Sequence, residues 1–348
     1  MLRILGLDIG GANIKLSLVE YEKGAIKAEN YSVYFPIWRK RDELPSKLKQ
    51  IYNKMKIDGE IRAIGVTTTA ELSDVYPTKR EGIEHVLRSV EKALPFAPIY
   101  VLDVKGKLRS IPEAVKDPLK IASVNWVATA YVLSKKLPSC ILVDVGSTTT
   151  DIIPIVNGNI KAKGKTDLDR LISSELVYTG ALRSNVAAIV RRIPIKGSLA
   201  GVSSEYFSIT GDVNLILGKI KKRDYSCETP DGRGKTVREA MARLARVICA
   251  DLEMLSREEV KAMARYIYEE QVWLVANSLS KVRKPYKQFP IVITGLGKFI
   301  ARDAAKKLGV DKIIDLDEIM GLELANAAPA AALAIMLAEK LEAEKCIA

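Results

Sequence analysis

One histidine, His85, stands in a chain of 348 residues. A Ser-His-Asp triad has only that residue to build on, and a metal site with several His ligands is excluded. The four cysteines, Cys140, Cys227, Cys249 and Cys346, lie far apart with no CxxC pair. Zinc ribbons, iron–sulfur clusters and a disulfide scaffold therefore drop out, and a reducing cytoplasm is the natural setting. No uninterrupted apolar run reaches the length of about 20 residues that a membrane helix needs. No secretory leader is read at the start, because Met1 leads straight into an apolar strand pattern. No basic run is interleaved with aromatics, which argues against a nucleic-acid footprint.

The charge that is there is uneven: 54 Lys plus Arg against 42 Asp plus Glu, a net +12. With the basic residues dispersed, the excess reads as a solvated surface or as a match for acidic small substrates. Hydrophobic residues at 48% and charged residues at 28% fit a soluble globular chain. The length suggests two domains of roughly 150 residues each.

Apolar runs place strands at Leu2–Ile9, Asn13–Glu20, Ile26–Phe35, Ile61–Thr69 and Ile99–Asp103. Helical periodicity covers Asp42–Lys56 and Glu81–Leu94, the latter stopped by Pro95 and carrying His85 as a packing residue. Ser123–Lys136 reads as a helix with Ser123 as its N-cap. Then the opening pattern recurs. Cys140–Val145 is an apolar strand, Gly146–Thr150 a turn, Asp151–Val156 the return strand, and Asn157-Gly158 a tight hairpin into Asn159–Lys163. This internal repeat puts a boundary near Leu137-Pro138. Farther on, Val237–Cys249, Arg257–Val282, Lys298–Leu308 and Ala327–Glu344 read as helices, and Pro290–Thr294 as a strand. Lys219–Lys235 reads as an exposed polar loop that orders around a ligand.

Three motifs carry chemistry. The first, Asp8-Ile9-Gly10-Gly11-Ala12-Asn13-Ile14-Lys15, is a turn of small residues whose amides suit phosphate oxygens. Asp8 suits a hydrated Mg²⁺ and Lys15 is a point charge, although an ordinary hairpin with a surface Asp would look the same. The second, Asp144-Val145-Gly146-Ser147-Thr148-Thr149-Thr150-Asp151, repeats the layout with hydroxyls in place of glycine. The third, Ile291–Lys298, runs a strand through Gly295-Leu296-Gly297 into a helix start that suits an anion or lies under a base.

Further strings add detail. Thr67–Gly82 packs hydroxyls, carboxylates and cations into one strand-end loop: Glu71 and Asp74 as base or metal ligands, Lys79 and Arg80 as an anion clamp. Tyr206–Val213 sets Asp212 at a helix start, as cap or metal ligand. Cys227–Gly234 holds Asp231 and Arg233, and Val177–Ser184 holds Arg183. Cys227 has no histidine near it in sequence and reads as non-catalytic.

Together the three motifs resemble phosphate one, phosphate two and the adenosine motif of the actin-like ATPase superfamily of sugar kinases, Hsp70 and actin. The resemblance implies an α/β fold of two ribonuclease-H-like domains facing a central cleft, over 1–137 and 138–325, with a C-terminal helix at 326–345 packing back near the first. Thr67–Gly82 resembles the hydantoinase/oxoprolinase family. The stretches at 177–184, 206–213 and 227–234 are similar to its short single-chain branch in methanofuran biosynthesis and one-carbon metabolism. That branch implies a cytoplasmic transferase that joins the phenol of γ-glutamyltyramine to an aminomethyl-furan-methyl diphosphate and releases diphosphate. Its partners would be those small molecules, without nucleic acid or membrane.

Residue type and motif position give the expected roles. Glu71, Asp151 and Asp144 are the catalytic carboxylates, with Glu71 or Asp151 as base. Phosphate is held by Gly10, Gly11, Asn13, Lys15, Gly146, Ser147, Thr148, Thr149, Gly295 and Gly297. The acceptor is bound among Asp74, Lys79, Arg80, Arg183, Asp231 and Arg233. Mg²⁺ is organised by Asp8, Asp144 and Asp212. The alternatives are an ATP-dependent small-molecule kinase of the same fold, or a hydantoinase/oxoprolinase-like hydrolase that uses ATP.

Overall fold

A computed structural model of the chain describes residues 1–55, 57 and 59–347. It divides into two compact units. One comprises residues 1–139, 155–169 and 316–348, and the other residues 140–154 and 170–315.

The first unit is built on a six-stranded sheet. Its strands are β1 (Leu2–Ile9), β2 (Asn13–Glu22), β3 (Ala25–Tyr34), β4 (Ala63–Thr68), β5 (Ile99–Leu102) and β6 (Leu108–Arg109), in the order β3-β2-β1-β4-β5-β6. β1 pairs antiparallel with β2 on one side and parallel with β4 on the other. Both β1 and β4 are apolar along nearly their whole length, as strands covered on both faces must be. One cover is the helix Lys79–Ala93, whose N-cap Thr78 accepts the Glu81 amide. The other is the alanine-rich helix Ala328–Ile347, which packs on β1, β2 and β4. Its backbone comes so close that a Cβ on Gly6 would collide with the Ala330 carbonyl. Gly65, beside Gly6 in the sheet register, leaves room for Leu333 in the same way.

The second unit repeats the plan. β7 (Cys140–Val145) and β8 (Thr150–Val156) form a hairpin; the last residues of β8 pair with the short β9 (Asn159–Ile160), a pairing that falls in residues 155–169 of the first unit. β10 (Leu176–Val177) edges the sheet, and β11 (Arg192–Ile195) with β12 (Ser198–Gly201) makes a separate ribbon. β13 (Ile291–Thr294) and β14 (Ile313–Asp315) complete the order β10-β8-β7-β13-β14, with β13 parallel to β7. The 27-residue helix Arg257–Arg283 starts at a Ser256–Glu259 capping box.

Several boundaries differ from the sequence reading. The expected helix Asp42–Lys56 ends at Lys54 as a regular helix, and Lys56 lies outside the described residues. The expected strand at Asn159–Lys163 is two residues long. Ser123 is not an N-cap: the helix starts at Asn125, and Ser123 stands before it with φ +54. Lys219–Lys235 is not simply an exposed loop, since Tyr225 and Cys227 are buried. Among the described residues, no helix is long and apolar enough to cross a membrane.

Candidate functional site

Open α/β sheets bind ligands beyond the carboxyl ends of their parallel strands, where the strand order reverses. In each unit that point carries an Asp. Asp8 ends β1 opposite Lys15 of β2 and beside Thr67 of β4. Asp144 nears the end of β7 beside Thr294 of β13. The turn after each Asp closes identically. The Gly10 amide donates to the Asn13 carbonyl at 2.8 Å, and the Gly146 amide to the Thr149 carbonyl at 2.9 Å. The repeat seen in the letters is thus a repeat of hydrogen bonds.

In the first unit, the chain leaving β4 folds over the first turn. The Thr69 amide donates to the Ile9 carbonyl, as does Thr68 Oγ1 at 2.9 Å, and a Cβ on Gly11 would meet Ser73 Oγ at 2.9 Å. This sets Glu71 in a short 3-10 turn with 1% exposure. Gly82 makes the space, because a Cβ there would come within 2.6 Å of Glu71 Cα. Ser123 Oγ lies 2.6 Å from Glu71 Oε1 and 2.7 Å from Asp167 Oδ2. Lys79 Nζ donates to the same Asp167 oxygen at 2.9 Å. Glu71 Oε2 is buried without a hydrogen-bond partner. Burial pushes the Glu71 carboxyl up to about 7, against the pull of Ser123 and Lys79. A carboxyl poised there suits a general base. Lys79 is thus engaged by Asp167, Arg80 and Asp74 are exposed, and Arg80 Nη1 donates to the Val115 carbonyl at 3.5 Å.

In the second unit, the chain after β10 lies on the second turn. The amides of Leu182 and Arg183 donate to the Ser147 carbonyl, and Arg183 Nη1 to Thr148 Oγ1 at 3.4 Å. Gly295, at φ +86, abuts Asp144 and Val145, and the Gly297 amide donates to the Val145 carbonyl at 2.8 Å. Asp144, Gly146–Thr149, Arg183 and Gly295–Gly297 therefore stand together. Asp151 does not join them as a base, since its Oδ1 accepts from the buried Arg170 at 2.7 Å.

Two expectations are corrected here. Asp212 is fully buried, and both its oxygens accept from Arg243 at 2.7–3.1 Å, with Tyr225 and Ser208 adding hydrogen bonds. A carboxylate so enclosed offers no face to a metal. Asp231 likewise accepts from Arg243 and Arg246 rather than facing a substrate, at 3.1 and 3.2 Å. Arg243, itself fully buried, ties the 225–234 segment to the helix Val237–Arg246, while Arg233 stays exposed. Burial pushes the Cys227 thiol up to about 11, which keeps it protonated and poorly nucleophilic. His85 Nδ1 sits 2.6 Å from Tyr76 Oη, and burial lowers its pKa.

Among the described residues, no three His, Cys, Asp or Glu side chains cluster as a metal cage. Mg²⁺ does not require one. It keeps several waters and binds through one or two carboxylates plus substrate phosphates. Asp8 and Asp144, hard oxygen donors each beside a phosphate-type turn, fit that chemistry; Asp212 does not.

This architecture is an actin-like ATPase fold. The chain superposes on a ROK family glucokinase from Streptomyces griseus with a TM-score of 0.50 at 12% identity, covering 96% of this chain and 98% of that one. It superposes on an acetone carboxylase with a TM-score of 0.52 at 13% identity, covering 95% of this chain and 70% of that one. Within this fold the chain belongs to the hydantoinase/oxoprolinase family, whose model matches residues 62–340. A relative from Methanocaldococcus jannaschii is 42% identical over 340 residues, 97% of this chain and 98% of its own. It is named (4-{4-[2-(gamma-L-glutamylamino)ethyl]phenoxymethyl}furan-2-yl)methanamine synthase. A relative of the same name from Methanococcus vannielii is 43% identical over 209 residues, 59% of this chain and 94% of its own.

Proposed function

We propose that this chain is a transferase of methanofuran biosynthesis. The phenol oxygen of γ-glutamyltyramine attacks the methylene carbon of an aminomethyl-furan-methyl diphosphate, an aryl–alkyl ether forms, and diphosphate leaves. The supporting observation is the 42% identity over 97% of the chain to a synthase whose named product contains that phenoxymethyl-furan linkage. The geometry suits the reaction.

A phenol has a pKa near about 10, so attack at neutral pH needs a base. Glu71 is that base. Its carboxyl is poised near 7 and one oxygen has no other hydrogen-bond partner, whereas Asp151 is held by Arg170. The phenol proton goes to Glu71 as the C–O ether bond forms. The departing C–O bond's electron pair leaves with diphosphate, and the furan ring spreads the positive charge on the methylene. Within the second unit, Arg183 and the Thr148 and Thr149 hydroxyls are the candidates to grip phosphate oxygens; within the first, Lys15 with the Gly10–Asn13 turn offers the same chemistry. Mg²⁺ held through water by Asp8 or by Asp144, each within its own unit, would neutralise charge on the leaving diphosphate. Arg80 in the first unit and Arg233 in the second are exposed cations, and either is a candidate for the acceptor's one free glutamyl α-carboxylate.

The test is incubation of the Mg²⁺-loaded protein with both substrates, reading ether and diphosphate. Stoichiometric release of the two is expected. A folded protein that forms neither sinks the reading. Full turnover by Asp8→Asn and Asp144→Asn would remove the metal assignment alone.

A further inference from the structure

A base that is 1% exposed must shed, in every turnover, the proton it takes up. This inference rests on Glu71 as that base. The structure offers it an exit. Ser123 Oγ stands between Glu71 Oε1 and Asp167 Oδ2, at 2.6 and 2.7 Å. A hydroxyl has one proton, so it donates to one carboxyl and accepts from the other. Both short contacts are satisfied when Glu71 carries a proton and gives it to Ser123, while Ser123 gives its own to Asp167. Asp167 has a 16% exposed side chain, so the row runs from a buried carboxyl to water.

Ser123 is also held in a backbone conformation that residues with a Cβ rarely adopt, at φ +54. Its amide donates to the Thr68 carbonyl at 3.1 Å and its carbonyl accepts from Trp126 Nε1 at 3.0 Å. Strain that is pinned from both sides, next to a candidate base, points to a function for the side chain it aims.

We propose that Ser123 is a positioning residue that relays the proton acquired by Glu71 to Asp167, which releases it to solvent. In the step, the Glu71 carboxyl, protonated on the oxygen that met the phenol, turns about its Cγ–Cδ bond to present that O–H to Ser123; the Glu71 O–H bond then breaks as its proton passes to Ser123 Oγ, and the Ser123 O–H bond breaks as its proton passes to Asp167 Oδ2. Glu71 ends as carboxylate and Ser123 unchanged. Besides burial, which favours the protonated form, four groups bias Glu71: the Ser123 hydroxyl, its own backbone amide and the Lys79 cation favour its ionised form, and the Asp167 carboxylate opposes it.

Ser123→Gly is the decisive variant, because glycine accepts φ +54 and keeps both backbone hydrogen bonds while deleting the hydroxyl. Expected are an unchanged or higher thermal midpoint, a kcat lowered about 10- to 100-fold with KM little changed, and an acid limb of the pH profile moved to higher pH. Asp167→Asn, which removes the opposing charge, moves that limb to lower pH and also lowers kcat. Ser123→Gly with full turnover and an unmoved limb overturns the relay. Infrared titration of the Glu71 carboxyl, assigned by its loss in Glu71→Gln, reads the coupling without turnover. A midpoint raised in Ser123→Gly upholds it and an unmoved one overturns it, whether or not the chain forms the ether.

Discussion

Burial of Glu71 ties pH to stability and, under the proposed base role, to activity. Its carboxyl rises from an ordinary 4.5 to about 7 on folding because burial penalises the charged form. A raised folded pKa favours the protonated group. Its contribution is therefore full below about pH 4.5 and is lost as pH climbs through about 7, a swing of about 3 kcal/mol. Glu71→Gln fills the same space, still hydrogen-bonds Ser123 and cannot ionise. Thermal midpoints across pH should show this variant level with the parent near about pH 5 and more stable near about pH 8, while turnover collapses. A variant less stable than the parent at the higher pH would mean that Glu71 is ionised and well supported there. Glu71 stood out as a candidate because it sits in a dense string of hydroxyls, carboxylates and cations. Its supports were not. Ser123 lies 52 residues from Glu71 and 44 from Asp167, and a serine before a helix reads first as a cap. Asp212 failed for the converse reason. An Asp at a helix start looks the same whether it caps, binds metal or pairs with an arginine 31 residues on.

At the scale of elements, contiguous patterns were readable and contacts between them were not. Apolar runs located β1, β4, β7 and β13 to within a few residues, since strands covered on both faces have little choice of composition. The expectation that the last helix packs back near the first domain did not say which residues it meets. The answer is Gly6 and Gly65, neighbours in the β1–β4 register. There the helix backbone itself meets the sheet, so Gly6→Ala pushes a Cβ against a carbonyl that has nowhere to retreat. The expected cost is about 1–3 kcal/mol, read as a lower denaturant midpoint with an unchanged slope. Gly82→Ala presses on Glu71 instead. It should lower turnover by more than its loss of stability explains, and equal losses from both glycines would deny Gly82 a special place. The 219–235 segment misled because its polar letters do not reveal Arg243, the buried cation that fixes it.

For the whole molecule, the informative fact is that one hairpin design occurs twice, down to the Gly-to-third-residue hydrogen bond, with an Asp two residues before each glycine. Duplication explains why the fold could be read from two strings and the length. It does not decide which phosphate compound the turns now serve, because the fold also carries kinases. Under the proposed function the turns hold a small diphosphate, gripped in the second turn by its hydroxyls and by Arg183, which donates to Thr148 there. A ligand that binds only the folded state raises the thermal midpoint in proportion to the logarithm of its concentration over Kd, about 2.7 kcal/mol at a hundredfold excess. Diphosphate with Mg²⁺ should therefore stabilise the protein, and ATP with Mg²⁺ at equal concentration should do so far less. Thr148→Ala with Arg183→Ala should abolish the diphosphate shift while leaving the unliganded midpoint nearly in place, since both side chains are only half-buried or turn-mounted. A larger shift with ATP would hand the turns to nucleotide and favour the kinase reading. A diphosphate shift that survives the double variant would instead place that anion elsewhere among the dispersed cations of the +12 surface, as screening by added salt would then reveal.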